Sequence, residues 1–251
     1  MPVAEVEGLP VAYRETGTGA DGAPVLMAHC SLAHSGLWKP MMTALDGARH
    51  CIAPDMPAHG GTAAPRPGRS LQMFALAACE ALAARQGRPV HLVGLSLGAA
   101  VLGRLALKRP DLVASVTLIE PVWFHLLRAN GRDAAADEEE AATQAVLDTA
   151  ASGDPVRAVM AFMDRWGVPG GFARQSPEGQ QAAADIYAEI AKDFEWVSGH
   201  PPGQVEVEDL ATMRPPTMLI SGADTPRPAT EVIDVIEAAL PAARRRTIAG
   251  A

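Results

Sequence analysis

The stretch Val90-His91-Leu92-Val93-Gly94-Leu95-Ser96-Leu97-Gly98-Ala99-Ala100 decides the fold. Its first half, Val90–Leu95, is a short apolar run that reads as a buried strand. Its second half opens an alanine- and leucine-rich helix that runs from Leu97 to Lys108 and stops before Pro110. No loop separates the two. The turn between them is Gly94-x-Ser96-x-Gly98, and small residues two before and two after the serine let the arms of so abrupt a turn pass closely. Such a turn holds Ser96 in a strained backbone, lifts its hydroxyl clear of the sheet, and sets it at a helix N-terminus that favours negative charge.

Reading outward, short apolar runs alternate with helical ones, the pattern of a parallel sheet with crossover helices. Val3–Glu7 and Val11–Glu15 are predicted to form a hairpin around Gly8. Strands are predicted at Val25–Ala28, Cys51–Pro54, Ser115–Ile119, Thr217–Ser221 and Arg245–Ile248. Helices are predicted at Gly36–Leu45, Ser70–Gln86 and Pro228–Leu240. Within Ser70–Gln86, Leu71, Phe74, Leu76, Ala78 and Leu82 form the apolar stripe, with Ser70 as cap and Gly87 as stop. From Trp123 to Val205 the rhythm breaks. Helical stretches at Ala134–Ala151, Pro155–Trp166 and Pro177–Phe194 read as an insertion, with Gly- and Pro-bearing joints between them. The acidic run Asp137-Glu138-Glu139-Glu140 reads as a solvated helix start.

Composition narrows the classes. The chain has 251 residues, 48% hydrophobic and 20% charged, which excludes intrinsic disorder and fits one large domain or two small ones. The net charge of −8 and the lack of a broad basic face set nucleic-acid binding aside. Cys30, Cys51 and Cys79 have neither an even count nor CxxC spacing, so no disulfide framework or metal site is expected. There is no signal-like apolar segment at the start and no run near the roughly 20 apolar residues of a membrane span. The expectation is a cytoplasmic protein without membrane partners, with a homodimer left open. Abundant alanine and the use of arginine over lysine (only Lys39, Lys108 and Lys192) suggest a GC-rich bacterial source.

The chain resembles the alpha/beta-hydrolase family of the kind with a helical cap. Ala28-His29-Cys30-Ser31 resembles that family's His-Gly-x loop after the third strand, with Cys30 at the glycine. Asp55-Met56-Pro57-Ala58-His59-Gly60-Gly61-Thr62 resembles its Asp-x-Pro-Gly-His-Gly-x-Ser loop, and Pro216–Gly222 the strand before its acid. The resemblance implies an α/β fold: a mostly parallel eight-stranded sheet with flanking helices, residues 1–122 and 206–251 as core, and 123–205 as a cap inserted after the sixth strand.

It also implies a catalytic set. Ser96 matches the nucleophile, and the N–H groups of Leu97 and Ser31 match the oxyanion hole. Asp224 is the preferred acid and Glu120, ending the sixth strand, its rival. His34 and Trp38, after the oxyanion loop, and Trp123 and Phe124, at the start of the cap, are candidates for substrate contact; Trp166 and Trp196 are further candidates for the lining. Cys30 is expected to be a packing thiol, and His29 and His59 match positions that are usually structural. The family's base is a histidine just after the eighth strand. None of the seven histidines lies there, and the expectation is that this histidine and a covering helix follow Ala251; His200 is the one substitute near the sheet. The implied reaction is hydrolysis of a small-molecule ester through an acyl-enzyme, with no metal or organic cofactor. C–C bond hydrolysis, cofactor-free perhydrolase or haloperoxidase chemistry, and a non-catalytic ligand-binding member or a fragment lacking the histidine are the alternatives.

Overall fold

A computed structural model describes residues 1–195, 199, 201 and 203–250. The chain opens with strands β1 (Val3–Val6), β2 (Leu9–Thr16) and β3 (Gly22–Ala28), then helix α1 (Lys39–Ala44) and strand β4 (Arg49–Pro54). Helix α2 (Leu71–Ala84), β5 (Val90–Leu95), α3 (Leu97–Lys108) and β6 (Val113–Ile119) follow. Helices α4 (His125–Ala129), α5 (Asp133–Ala151), α6 (Pro155–Trp166) and α7 (Pro177–Ala191) make up the insertion. The chain returns through α8 (Val207–Leu210), β7 (Thr217–Gly222), α9 (Arg227–Ala239) and β8 (Arg244–Ile248).

The eight strands form one sheet in the order β1-β2-β4-β3-β5-β6-β7-β8. The first two are antiparallel additions, and every pairing from β4 to β8 is parallel. One leucine from each of four central strands marks the core: Leu26, Leu92, Leu118 and Leu219 are fully buried. Leu26 is paired with Leu92, and Leu118 with Leu219. Helix α3 is apolar almost all round because it is buried almost all round, from Leu97 to Ala106. The Ser70 hydroxyl caps α2 by accepting the Met73 N–H at 3.2 Å, and Gly87 follows the helix in the left-handed region at φ +65°.

Most predicted elements shift only at their ends, but the segment Gly36–Leu45 divides. Its first turn, Ser35–Trp38, is a 3-10 turn, and α1 proper starts at Lys39 ahead of Pro40.

The insertion holds no strand among its described residues. Its two ends belong to the main core: Trp123, Leu126, Leu127, Ala135, Ala136 and Val205 pack in the same cluster as the sheet leucines. A separate apolar cluster, including Val146, Val159, Phe172 and Tyr187, joins α5, α6 and α7. Arg227 of α9 pairs with Glu138 at 2.8 Å and so ties the cap to the sheet domain.

The acidic run is not uniformly solvated. Glu139 lies on the same face of α5 as Ala135, Ala136, Thr143 and Val146, at helical spacing, and is 5% exposed. That corrects the expectation of a wholly solvated helix start.

Candidate active site

The turn from β5 to α3 has the strain its sequence implies. Ser96 sits at φ 54° and ψ −115°, a region non-glycine residues rarely occupy. Its N–H continues the parallel ladder to the Ile119 carbonyl at 2.8 Å. The flanking glycines are required by space. A Cβ on Gly94 would lie 2.5 Å from the Gly98 carbonyl oxygen, and a Cβ on Gly98 2.2 Å from the Ala28 carbonyl oxygen.

Ser96 faces a cavity of about 170 Å³ between the strand ends and the cap. Ser31, Leu97 and Glu120 line the same cavity. Leu97 opens α3, so its N–H has no intrahelical acceptor. The Ser31 N–H makes no hydrogen bond among the described residues. Both are donors of the kind an oxyanion needs.

The loop that carries Ser31 is clipped to the loop after β4 by reciprocal bonds. His29 Nε2 accepts the Met56 N–H at 2.8 Å, and His59 Nε2 accepts the Leu32 N–H at 3.0 Å. Asp55 accepts the N–H groups of Ser35 and Gly61, each at 2.8 Å. Each imidazole uses its other nitrogen on a carbonyl, of Cys30 for His29 and of Pro57 for His59. Both rings are therefore neutral Nδ1–H tautomers with both nitrogens engaged. Burial, with the neighbouring His59, drives the His29 pKa down to about 3. Burial also lowers that of His59. The Cys30 thiol lines the cavity but is pushed up to about 11 by burial, so it holds its proton.

The two candidate acids are placed differently. Glu120 ends β6 in the left-handed region, φ 48°, beside Ser96 across the paired strand ends. Its Oε1 accepts the Gly222 N–H at 3.0 Å and the Thr225 hydroxyl. Asp224 is exposed, makes no hydrogen bond among the described residues and is absent from the cavity lining.

Of the expected substrate contacts, Phe124 lines the cavity, its ring 5.7 Å from that of Trp166, which lines it too. The other three need correction. Trp38 is buried beneath the sheet with Met27 and Met42, because the 3-10 turn directs it inward. Trp123 is fully buried, with its indole over Gly103, where a Cβ would meet it at 2.5 Å. His34 caps its turn by accepting the Gly36 N–H at 3.0 Å. Trp196 and His200 lie outside the described residues.

None of the six described histidines lines the cavity. Besides His29 and His59, His50 is paired with Glu15, His91 bonds Ser115 and His125 bonds the Val205 carbonyl. Among the described residues no group of three or more His, Cys, Asp or Glu side chains is arranged to hold a metal ion. No described helix is long and apolar enough to cross a membrane.

Several cavity residues escaped sequence reasoning, Gln72 and Asp193 among them. Asp193 accepts the Gln72 N–H at 2.8 Å and the Ser70 hydroxyl at 2.9 Å. The signal for Gln72 was its place on the Gln72, Ala75, Leu76, Cys79 face of α2, which is buried throughout.

The sequence pattern of the alpha/beta hydrolase family matches residues 25–251. The chain belongs to the alpha/beta hydrolase family.

Individual relatives are distant. The chain is 30% identical over 136 residues to (E)-2-((N-methylformamido)methylene)succinate hydrolase of Acinetobacter baylyi, covering 54% of this chain and 50% of that protein. It is 28% identical over 191 residues to a haloalkane dehalogenase of Bradyrhizobium diazoefficiens, covering 71% and 59%. The matched stretch thus spans about half of the length of these relatives. An alpha/beta hydrolase from Sphaerobacter thermophilus has the same fold, with TM-score 0.72, 17% identity, and coverage of 98% of this chain and 91% of that one.

Proposed function

We propose that this alpha/beta hydrolase cleaves a small, mostly apolar ester or related acyl substrate through an acyl-enzyme on Ser96. The observation that carries the reading is the strained Ser96 facing a cavity that Glu120, Leu97 and Ser31 also line, the last two with free N–H groups. Ser96 Oγ would bond to the carbonyl carbon as its proton passes to an imidazole and then to the departing alcohol. The oxyanion would rest on the two N–H groups, and water would then release the acid and restore the serine. Glu120, held by Gly222 and Thr225, is the acid this geometry favours. A serine at the nucleophile position argues against the chemistry named for the dehalogenase relative.

The placement of the described histidines favours a second reading, a fold member that binds a small ligand without turning it over. Fluorophosphonate labelling separates the two. The hydrolase reading expects labelling at Ser96, accelerated by free imidazole and abolished in Ser96→Ala. A chain that stays unlabelled with imidazole present would overturn it.

A further inference from the structure

Asp193 follows the last turn of α7 in the cap, yet its side chain is bonded to the sheet domain. Its Oδ2 accepts the Ser70 hydroxyl at 2.9 Å and the Gln72 N–H at 2.8 Å, across 123 and 121 residues of chain. Both donors stand at the N-terminus of α2, where a carboxylate is favoured by the helix dipole as well as by the two bonds. Leu71, between them in sequence, packs in one apolar cluster with Ile190 of α7 and with Leu97, the residue after Ser96. Cap and core thus meet here through one carboxylate and a small apolar contact.

The same place separates two hollows. On the inner side is the cavity that holds Ser96. On the outer side is a surface hollow of about 580 Å³, formed by residues 65–71 of the core and by Glu189, Lys192 and Asp193 of the cap, with the exposed Arg66, Arg69 and Lys192 on its rim. Leu71 and Asp193 line both hollows. A further hollow, near Met213 and Arg244, shares no residue with the Ser96 cavity.

The partition is built to open at modest cost. When Asp193 withdraws, the Ser70 hydroxyl still accepts the Met73 N–H at 3.2 Å, so α2 keeps a cap of its own. The freed carboxylate already borders a hollow that admits water, and its hydration offsets most of the energy of the two bonds.

We propose that the seam between Asp193 and Leu71 is an entrance to the Ser96 cavity, with Asp193 as its latch and the hollow over residues 65–71 as its vestibule. The two residues then set the girth of what reaches Leu97 and Ser96, whether that molecule is hydrolysed or only bound.

Cys30 reports entry without calling on Ser96, because its thiol lines the cavity. Cys51 and Cys79 are fully buried and report any loosening of the core in the same sample. The probe is iodoacetanilide, a neutral alkylating agent with a single phenyl ring, and peptide mass spectrometry at mildly alkaline pH reads each cysteine. Asp193→Ala is expected to raise the rate at Cys30 by about tenfold or more, the weight of a charge-assisted hydrogen bond in the opening equilibrium. Leu71→Ala, which widens the seam and leaves the latch in place, raises it too. Arg227→Ala, which cuts the tie between the cap and α9, leaves the rate as in the wild type. Cys51 and Cys79 stay unmodified throughout.

Three outcomes overturn the proposal: a Cys30 rate unchanged in Asp193→Ala or in Leu71→Ala, an acceleration in Arg227→Ala that matches Asp193→Ala, or alkylation of Cys51 and Cys79 in step with Cys30. Where Asp193→Ala fails to fold, Leu71→Ala decides alone. No readout here requires a reactive serine. A Ser96 that resists the fluorophosphonate therefore removes the hydrolase reading and leaves the entrance standing, and the reverse result removes the entrance alone.

Discussion

The Thr225 hydroxyl donates a hydrogen bond to Glu120 Oε1, joining the loop after β7 to the end of β6. The Gly222 N–H reaches the same oxygen at 3.0 Å. Two donors on one oxygen fix the carboxylate's orientation and leave Oε2 without a partner among the described residues. Glu120 also lines the cavity with Ser96, whereas Asp224 is exposed and does not.

That difference separates the two acids by mutation. Glu120→Gln keeps the shape, removes the charge that would steady an imidazolium, and should lower imidazole-assisted ester cleavage by about tenfold or more. Asp224→Asn should leave the rate unchanged. Thr225→Val should fall between them, because Glu120 keeps its bond from Gly222. Rates of the three variants at matched imidazole concentrations check the order.

The turn glycines should be among the least replaceable residues. In Gly98→Ala the new methyl would stand 2.2 Å from the backbone oxygen of Ala28, which cannot rotate away. The cost should exceed about 2 kcal/mol, in the range of overpacked cores and strained backbone. Gly87→Ala is the control. Its φ of +65° is unfavourable to alanine, but no atom lies within 4 Å of the added Cβ, so its cost should be nearer ~1 kcal/mol. Urea unfolding of both variants measures the contrast.

These residues also show what the sequence made legible. The elbow is local: strand, Gly94-x-Ser96-x-Gly98 and helix are contiguous, so the fold and a candidate nucleophile could be read together. The cavity wall is not local. It is assembled from α2, α5, α6 and the residues after α7, which meet only through tertiary packing. Glu139 shows the boundary. Its neighbours Asp137, Glu138 and Glu140 made it look solvated, and only its phase with Ala135 and Ala136 reveals the inward face. Trp38 and Trp123 misled for the opposite reason. Aromatic size near a proposed site is equally good core material, and the core took both.

The buried histidine clip predicts a pH dependence of stability. The His29 pKa is lowered from 6.5 to about 3, chiefly by burial. Below about pH 6.5 the unfolded chain takes up a proton that the folded chain refuses. Stability from this group is therefore full above that pH and is lost as pH falls toward 3, at up to ~1.4 kcal/mol per pH unit. His59, lowered in the same direction by burial, adds to the loss. For Asp55, burial opposes the charge, but the N–H bonds from Gly61 and Ser35 prevail and hold its carboxyl below the ordinary range. Its contribution falls away at still lower pH. Urea unfolding between pH 7 and 4 should show the decline, and His29→Ala, although less stable at neutral pH, should show a shallower one.

Adjacent aromatic residues should answer differently to truncation. Trp123 is fully buried against Gly103 and does not touch the cavity, whereas Phe124 lines it beside Trp166. Trp123→Ala empties a space in the main core and should cost about 3–5 kcal/mol. It should leave the preference for acyl-chain length unchanged in whatever protein remains folded. Phe124→Ala removes a wall that already borders a void, so the loss of stability should be smaller. The enlarged cavity should shift the preference toward longer chains. Unfolding midpoints and ester-length profiles of the two variants test both halves. A length profile altered by Trp123→Ala and not by Phe124→Ala would mean that the acyl chain lies elsewhere than under the cap.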